Sequence, residues 1–242
     1  GSGFATFNLT ETGTAYITIT LPDGTVVTTS SSIGYFEHYQ GQTLRALLPV
    51  FATVATSGAS TSAPKSVISG WIEMNRLLEE SQLHIVKELN LNWFRPAAST
   101  ALYPSGWPTG LDMVGDVNRY DKSKTVQQLM GGLAASSQGN ALLGFWGGKL
   151  VDLESSSFAV ENALNVVGNT VVKLIPSDSS YTLTINHATG LVTGTFTPNW
   201  TSPSTTKPAF RGMLTKKLRS EGERYSAAGY FIWNRPRDTA PR

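Results

Sequence analysis

The sequence predicts an all-β fold, an antiparallel meander of about ten to twelve strands that is barrel-like or sandwich-like. Three observations support this prediction. Apolar and small polar residues alternate with period two over much of the chain, short turn signals separate the alternating segments, and no strand–helix–strand unit of a parallel sheet is recognisable. Barrels and sandwiches commonly reach 242 residues as one unit, so we expect a single domain spanning residues 1–242.

The N-terminal segment predicts three consecutive strands. Phe4–Leu9 and Tyr16–Leu21 alternate apolar with small polar side chains, and a Thr-Gly turn at 12–13 separates them. The third strand, Thr25–Ser32, follows an Asp-Gly pair at 23–24, which is a strong signal for a tight hairpin. Short turns between consecutive strands indicate an antiparallel meander.

The alternation continues beyond this meander, with one interruption. Residues 95–138 are predicted to be an irregular, loop-rich insertion, because three prolines and a Gly-rich stretch fall there. Within it, Val126–Met130 is compatible with either a short helix or a strand. Residues 234–242 form a basic tail. The candidate segments for the remaining strands are Leu44–Val54, Ser66–Met74, Leu89–Phe94, Leu142–Leu150, Phe158–Val167, Thr170–Ile175, Tyr181–Ile185, Leu191–Thr197, Ala209–Leu218 and Tyr225–Trp233.

The composition excludes several kinds of chemistry. Cysteine is absent, so the chain has no disulfides, thiol nucleophiles, zinc–thiolate sites or iron–sulfur clusters. Charged residues make up only 15 % of the chain, below the usual quarter. Thr, Ser, Gly and Asn supply the polarity instead, a mixture common in extracellular bacterial proteins. No apolar run approaches the roughly 20 residues of a membrane-spanning helix, so no membrane span is predicted.

The net charge of +2 is unevenly distributed. From Lys207 to Arg242, nine Lys or Arg residues stand against three Asp or Glu, a net charge of +6, so the rest of the chain carries −4. Such a basic segment could meet nucleic acid, an anionic polymer or a partner subunit. We favour a solvated rim on the β domain, because runs of charge are usually solvated, and predict no nucleic-acid partner.

The titratable residues do not predict an enzyme. No Gly-x-Ser-x-Gly motif is present, and the three histidines are scattered: His38, His84 and His187. Nucleophilic catalysis needs a hydroxyl, a base and an orienting acid in mutual reach, and sequence spacing gives no such group. A polysaccharide hydrolase that uses two carboxylates stays open as an alternative. Its candidate acids are Glu37, Glu73, Asp112 and Asp152.

Acidic residues around the Gly-rich centre are candidate ligands for a cation. Asp112 and Asp116 lie there, with Asn118 and Asp121 nearby. Calcium favours carboxylate and carbonyl oxygens, so Asp112 and Asp116 are the candidate calcium ligands. The spacing is not that of an EF-hand, and Asp or Asn residues in loops usually cap turns. We therefore predict no cofactor, with calcium as the alternative.

Aromatic residues are the candidate binding residues. Most tryptophans fall on predicted strands, where core packing or cross-strand pairing is the usual role. Trp107 and Trp200 fall in predicted loops instead. Together with Tyr103 and Tyr39, they could stack on a sugar or insert into a neighbouring subunit. Between the two interpretations, we favour burial of the loop tryptophans against their own domain.

Several short motifs occur in an order that is similar to one family. They are Gly3–Phe7, Thr12-Gly13, Asp23–Thr25, Leu48–Val50, Ser69–Ile72, Leu91–Ala97, Tyr103–Trp107, Thr189–Phe196, Phe210–Leu214 and Ala228–Ile232. The chain resembles the C-terminal β-rich domain of large secreted bacterial surface proteins that carry immunoglobulin-like or cadherin-like repeats upstream. The resemblance implies an extracellular, non-enzymatic β domain. It also implies that the chain stops at its last strand, whereas this sequence continues past Trp233.

These observations predict a non-catalytic structural, assembly or adhesion module of a secreted or cell-surface protein. Its expected partners are other subunits or domains of a surface assembly, and polysaccharide. A carbohydrate-binding module that uses loop aromatics is the first alternative, and the carboxylate-dependent polysaccharide hydrolase is the second.

Overall fold

The computed structural model describes residues 3–39, 43–54, 65–77, 89–97, 105–113, 120–147, 150, 159–199, 207–219 and 222–232. Over these residues the all-β prediction is confirmed, with fifteen strands in four antiparallel sheets. In every sheet, hydrogen-bonded neighbours are consecutive in sequence, as a meander requires. No sheet closes into a barrel within the described residues, and a sandwich-like arrangement fits. The chain divides into two compact units, residues 1–119 and 120–242, and the single-domain expectation stays a prediction.

The first sheet of unit 1 contains the predicted N-terminal meander. Its strands are β1 (Phe4–Leu9), β2 (Thr14–Thr20) and β3 (Val26–Ser32), in that order. The hairpin between β2 and β3 uses the Asp-Gly pair: Asp23 Oδ1 accepts a hydrogen bond from Thr25 N at 3.0 Å, and Gly24 has a φ of 84°. Gly24 N donates to Leu21 O at 2.9 Å, so Gly24 follows a turn centred on Pro22 and Asp23, and its positive φ explains why glycine stands there.

The second sheet of unit 1 has five strands in sequential order. They are β4 (Gly34–Tyr39), β5 (Thr43–Val54), β6 (Ser66–Leu77), β7 (Leu89–Arg95) and β8 (Trp107–Met113). Only Ile33 separates β3 from β4, so one stretch of chain passes from the first sheet into the second. The sequence did not predict β4 or β8, and these two strands contribute to the larger number observed.

Both sheets of unit 1 contribute to one hydrophobic core, as period-two alternation predicts. The core residues come from β2, β3, β5, β6 and β7, and alternate residues of these strands face inward. The core residues with at most 3 % exposure are Ala15, Ile17, Ile19, Leu21, Leu48, Val50, Ile68, Ile72, Leu91 and Trp93. The intervening residues of the five-stranded sheet therefore form its outer face.

Unit 2 repeats the two-sheet plan with its own core. One sheet contains β9 (Ala141–Phe145), β10 (Val160–Val167) and β11 (Thr170–Lys173) in the order β11-β10-β9. The other contains β12 (Tyr181–Ile185), β13 (Leu191–Phe196), β14 (Ala209–Arg219) and β15 (Gly222–Phe231) in sequential order. Phenylalanines from both sheets meet in the core, where the rings of Phe145 and Phe196 stack with centroids 3.8 Å apart.

The predicted irregular insertion contains two regular elements. β8 lies in its first half, and the helix α1 (Val126–Leu129) in its second, so the ambiguity over Val126–Met130 resolves as helix. A capping box starts α1, since Thr125 accepts a hydrogen bond from Gln128 N and donates its own N–H to Gln128 Oε1. No helix in the described ranges has the length and hydropathy needed to cross a bilayer.

Two asparagine side chains hold the exposed loop 131–138 against β10. Asn165 accepts from Ser136 N at 3.0 Å and donates to Ser136 O at 2.9 Å. Asn140 likewise accepts from Val166 N at 2.7 Å and donates to Val166 O at 2.9 Å and to Leu133 O at 2.8 Å. Each amide therefore pairs with both the backbone N–H and the backbone C=O of one residue, as a neighbouring strand would.

Candidate functional site

Three large aromatic side chains project from the outer face of the five-stranded sheet. Phe51 on β5 is 64 % exposed, Trp71 on β6 is 45 % exposed and Phe94 on β7 is 38 % exposed. Each is flanked along its strand by residues that face the core side, such as Val50 and Ala52 beside Phe51. Alternation along the strand therefore directs all three aromatic rings to the same, outer side.

The strand register surrounds these rings with polar side chains. Trp71 is paired with Pro49 on β5 and Asn90 on β7. The next outward-facing row joins Phe51, Ser69, Asn92 and Asp112 across four strands, from β5 to β8. We call the surface formed by Phe51, Trp71, Phe94 and the intervening Ser69, Asn90, Asn92 and Asp112 the aromatic face. It alternates rings with hydrogen-bonding groups over adjacent strands.

The register also gives the size of the aromatic face. Phe51 and Trp71 are diagonal neighbours, which places their Cα atoms about 7–8 Å apart. Phe94 lies two strands from Phe51 and one strand from Trp71, at roughly 12–14 Å from each given ordinary strand spacing and rise. With about 200 Å² for a fully exposed aromatic side chain, the three rings expose about 300 Å².

Two glycines let the sheet approach closely beneath this surface. Gly70, next to Trp71, has a φ of 141°, and a Cβ atom there would lie 1.9 Å from Asn90 O on β7. Gly110 of β8 has a φ of 90°, and a Cβ there would lie 2.9 Å from Cε1 of Phe94. Phe94 therefore covers the backbone of β8 at the irregularity in the β7–β8 register.

A buried ion pair supports the same sheet from the core side. Arg95 on β7 is 5 % exposed, and its guanidinium donates to Asp23 Oδ2 at 2.8 Å. The Cζ atom of Arg95 lies 5.5 Å from the ring centroid of Trp93 and 5.9 Å from that of Trp107. This arrangement ties the β2–β3 turn to β7 and β8.

Of the four aromatic residues that the sequence grouped as candidates, the structure describes the side chain of Trp107 alone. Trp107 begins β8 instead of lying in a loop, and its half-buried ring packs on Trp93 with centroids 4.6 Å apart. Tyr39 ends β4, and its side chain is not described. Tyr103 and Trp200 lie outside the described residues.

The candidate acids and calcium ligands do not form a site in the described part of the chain. Asp112 is exposed in β8, where its register partner is Asn92, and Glu73 is only 7 % exposed in β6. Asp116, Asp152 and the side chain of Glu37 are not described. No group of three or more His, Asp or Glu side chains able to hold a metal occurs among the described residues. Calcium and the hydrolase alternative stay predictions.

The one histidine whose side chain is described has a structural contact. His187 lies in the β12–β13 turn, half-buried, with Nε2 3.0 Å from Lys124 O. Tyr120 Oη donates to His187 O at 2.9 Å, and the Tyr120 ring covers Gly190. These contacts fasten the start of unit 2 to the β12–β13 hairpin. His84 and the side chain of His38 lie outside the description.

Unit 2 has a concavity of about 240 Å³ beside β10 and β12, lined by Glu161, Asn162, Asp178 and Tyr181 among others. Two hydrogen bonds from Ser180, one from its side chain and one from its backbone N–H, lower the pKa of Asp178. Lys173 Nζ donates to Asp178 O at 2.5 Å and Tyr181 O at 2.7 Å. The ammonium of Lys173 is thus engaged by the backbone, which organises the rim and does not point to a ligand.

Sequence reasoning missed Phe51, Trp71 and Phe94 as surface residues. The signal in the sequence was which side chains alternate along each strand. Phe51 alternates with Val50 and Ala52, and Phe94 lies between Trp93 and Arg95. Because successive residues of a strand point to opposite faces, either Phe51 or its neighbours Val50 and Ala52 could face the core, and the same holds for Phe94 and Trp93. The sequence predicted a core or cross-strand role for Trp71, and its side chain lies on the exposed face of the strand.

Comparisons with known proteins assign no family to the chain. No protein-family model matches it, and neither a curated protein nor a solved structure matches it. The resemblance to C-terminal domains of secreted bacterial surface proteins therefore stays a prediction.

Proposed function

We propose that the chain is a non-catalytic adhesion module of a secreted or cell-surface protein, and that it attaches to polysaccharide through the aromatic face. The aromatic face is the observation that carries this proposal. Leaving about 300 Å² of ring surface in water forgoes about 7 kcal/mol of hydrophobic free energy, which a ligand that covers the rings would recover. An exposed apolar patch of a few hundred Å² is often functional.

The size of the aromatic face favours a polysaccharide over a protein partner. A stable protein interface buries about 800 Å² on each side, more than twice the exposed aromatic area. A sugar ring, in contrast, presents an apolar C–H face to an aromatic ring and hydroxyls around its rim. Ser69, Asn90 and Asn92 lie between the aromatic rings, where their amides and hydroxyl match such hydroxyls. We therefore assign carbohydrate binding to this sheet face and not to the loop aromatics that the sequence indicated.

Binding to a panel of purified polysaccharides tests the proposal. We expect Trp71→Ala and Phe51→Ala each to weaken binding by at least about tenfold, a change of about 1.4 kcal/mol. Tyr16→Ala is the matched control, because Tyr16 is 60 % exposed on the first sheet, away from the aromatic face. Binding that Trp71→Ala and Phe51→Ala leave intact, or that Tyr16→Ala weakens equally, would refute the assignment.

The hydrolase alternative has a separate readout. If Asp112 acted as a catalytic carboxylate beside the aromatic face, the bound polysaccharide would release reducing ends, and Asp112→Asn would abolish that release. We expect no release by the full chain. Release that Asp112→Asn abolishes would replace the adhesion proposal with a hydrolase.

A further inference from the structure

The edge strand β1 directs a row of backbone groups away from its sheet. β1 is the first strand in the order β1-β2-β3 and pairs with β2 alone among the described strands. Thr10 N donates to Thr14 O at 2.8 Å. Residue pairs of an antiparallel ladder are alternately hydrogen-bonded and non-hydrogen-bonded. Because Thr10 and Thr14 form a hydrogen-bonded pair, Asn8 and Thr6 also bond to their partners on β2. The N–H and C=O groups of Ala5, Phe7 and Leu9 therefore point outward.

The β2–β3 pairing confirms this alternation independently. Leu21 N donates to Thr25 O at 2.9 Å and Ile33 N donates to Gly13 O at 2.8 Å, both in the β2–β3 register. Odd-numbered residues of β2 thus bond to β3, and its even-numbered residues bond to β1. The outward groups of β1 are consequently the odd-numbered ones.

The same three residues carry core-facing side chains that the fold leaves partly uncovered. Their partners on β2 are the buried residues Ile19, Ile17 and Ala15, which places Ala5, Phe7 and Leu9 on the core side of the sheet. Phe7 packs against the core, yet Leu9 is 37 % exposed and Ala5 is exposed. The core of unit 1 therefore extends to an edge that no described strand covers.

β1 also lacks the features with which proteins protect an edge. Natural edge strands carry charged residues, prolines or bulges that discourage pairing with another strand. Phe4–Leu9 contains no charged residue and no proline, and its register with β2 is unbroken over six pairs. An extended strand could join this edge without meeting a charge or a kink.

We propose that β1 pairs antiparallel with β1 of a second copy of this chain, about a two-fold axis at Phe7. Phe7 then faces the second copy's Phe7, and Ala5 faces the second copy's Leu9. All three outward pairs are of the hydrogen-bonded kind, with two bonds each. The large Leu9 meets the small Ala5, and an uncharged strand brings no like charges together at the axis. The two three-stranded sheets become one continuous sheet.

A proline at position 5 tests the pairing without breaking the sheet within one copy. Ala5→Pro removes an outward N–H, and prolines are tolerated on edge strands where the N–H faces solvent. Ala5→Ser keeps that N–H and serves as the matched control. We expect sedimentation equilibrium of the full chain to show concentration-dependent dimers for the wild type and Ala5→Ser, and at least about tenfold weaker dimers for Ala5→Pro.

A charge pair tests the register. We expect Leu9→Glu alone to weaken the dimer by losing apolar burial, and the double variant Ala5→Lys/Leu9→Glu to recover at least about tenfold, because opposite charges then face each other across the axis. A wild type that stays monomeric at all concentrations overturns the proposal. So does a dimer that Ala5→Pro leaves intact, or one that the second charge does not rescue. None of these outcomes depends on polysaccharide binding.

Discussion

The buried ion pair between Arg95 and Asp23 should determine much of the stability of unit 1, and Asp23→Asn tests this. The asparagine keeps an oxygen that can accept from Thr25 N, so the β2–β3 turn retains its hydrogen bond. It removes the negative charge 2.8 Å from a guanidinium that is only 5 % exposed. The change therefore isolates the electrostatic contribution of Asp23.

The expected cost follows from burial. Removing one charge of a buried pair typically costs 3–5 kcal/mol. Since the asparagine still offers an acceptor to Arg95, we expect about 3 kcal/mol, at the low end of that range. For a unit of about 120 residues this lowers Tm by roughly 10 °C. Asp121→Asn is the matched control, because the Asp121–Lys124 pair spans 3.8 Å with side chains 41 % and 61 % exposed, and should cost less than about 1 kcal/mol.

Urea unfolding followed by tryptophan fluorescence is the assay, with Trp93 and Trp107 beside the guanidinium as local reporters. Arg95→Met in the Asp23→Asn background should recover most of the lost stability, since an apolar side chain of similar length removes the buried charge altogether. If Asp23→Asn cost no more than Asp121→Asn, or if Arg95→Met failed to rescue it, the pair would not have the assigned role.

Three further predictions concern unit 2. Tyr181 Oη is buried with no hydrogen-bond partner among the described residues, so Tyr181→Phe should raise the free energy of unfolding by about 1 kcal/mol at neutral pH. Burial, with a smaller contribution from the charge of Asp178, raises the pKa of Tyr181. The wild type should therefore lose stability as pH rises through that folded-state pKa, and Tyr181→Phe should lose less, which urea midpoints at neutral and alkaline pH measure. The lowered pKa of Asp178 has the opposite effect on stability. Its stabilisation is present above the unfolded-state pKa and is lost as pH falls through the folded-state pKa. As pH is lowered, Asp178→Asn should therefore lose less stability than the wild type does. Asn165→Ala removes both side-chain hydrogen bonds to Ser136 and should lower the free energy of unfolding by about 2 kcal/mol. Amide hydrogen exchange in residues 133–138 should be faster in this variant, because Asn140 alone then holds the loop.

The fold was predictable where local signals agreed. Alternation and the Asp-Gly pair at 23–24 predicted the first hairpins, and the register of β2 and β3 follows them. β8 was missed because Pro108 and Gly110 fall inside it, and both residues are depleted in strands. It forms nonetheless, because β8 lies at the edge of its sheet, where a missing donor costs little, and Gly110 occupies an irregularity beneath Phe94. Tertiary pairing outweighed local propensity.

The candidate site was harder to predict for a physical reason. Period two divides a strand into two faces, but sequence alone does not say which face meets the second sheet. Trp71 has Gly70 on one side and Ile72 on the other, so its own strand gave a weak preference. Trp107 has Gly106 and Pro108 as neighbours, which indicated a loop, yet its ring packs on Trp93. Arg95 gave no signal, because its burial depends on Asp23, 72 residues earlier in the chain.

The two proposed surfaces of unit 1 would act together if both proposals hold. The aromatic face lies on the outer side of the five-stranded sheet, whereas β1 is an edge of the other sheet, so pairing through β1 leaves both aromatic faces open. A dimer would then hold two such faces, and simultaneous attachment to one polymer can raise the apparent affinity by about 10²–10⁴. We therefore expect Ala5→Pro to weaken binding to a long polysaccharide by about 10² or more while leaving binding to a short oligosaccharide unchanged. Equal weakening of both would show that β1 contributes to the binding surface itself, and equal binding to the long polymer would show that the two surfaces act independently.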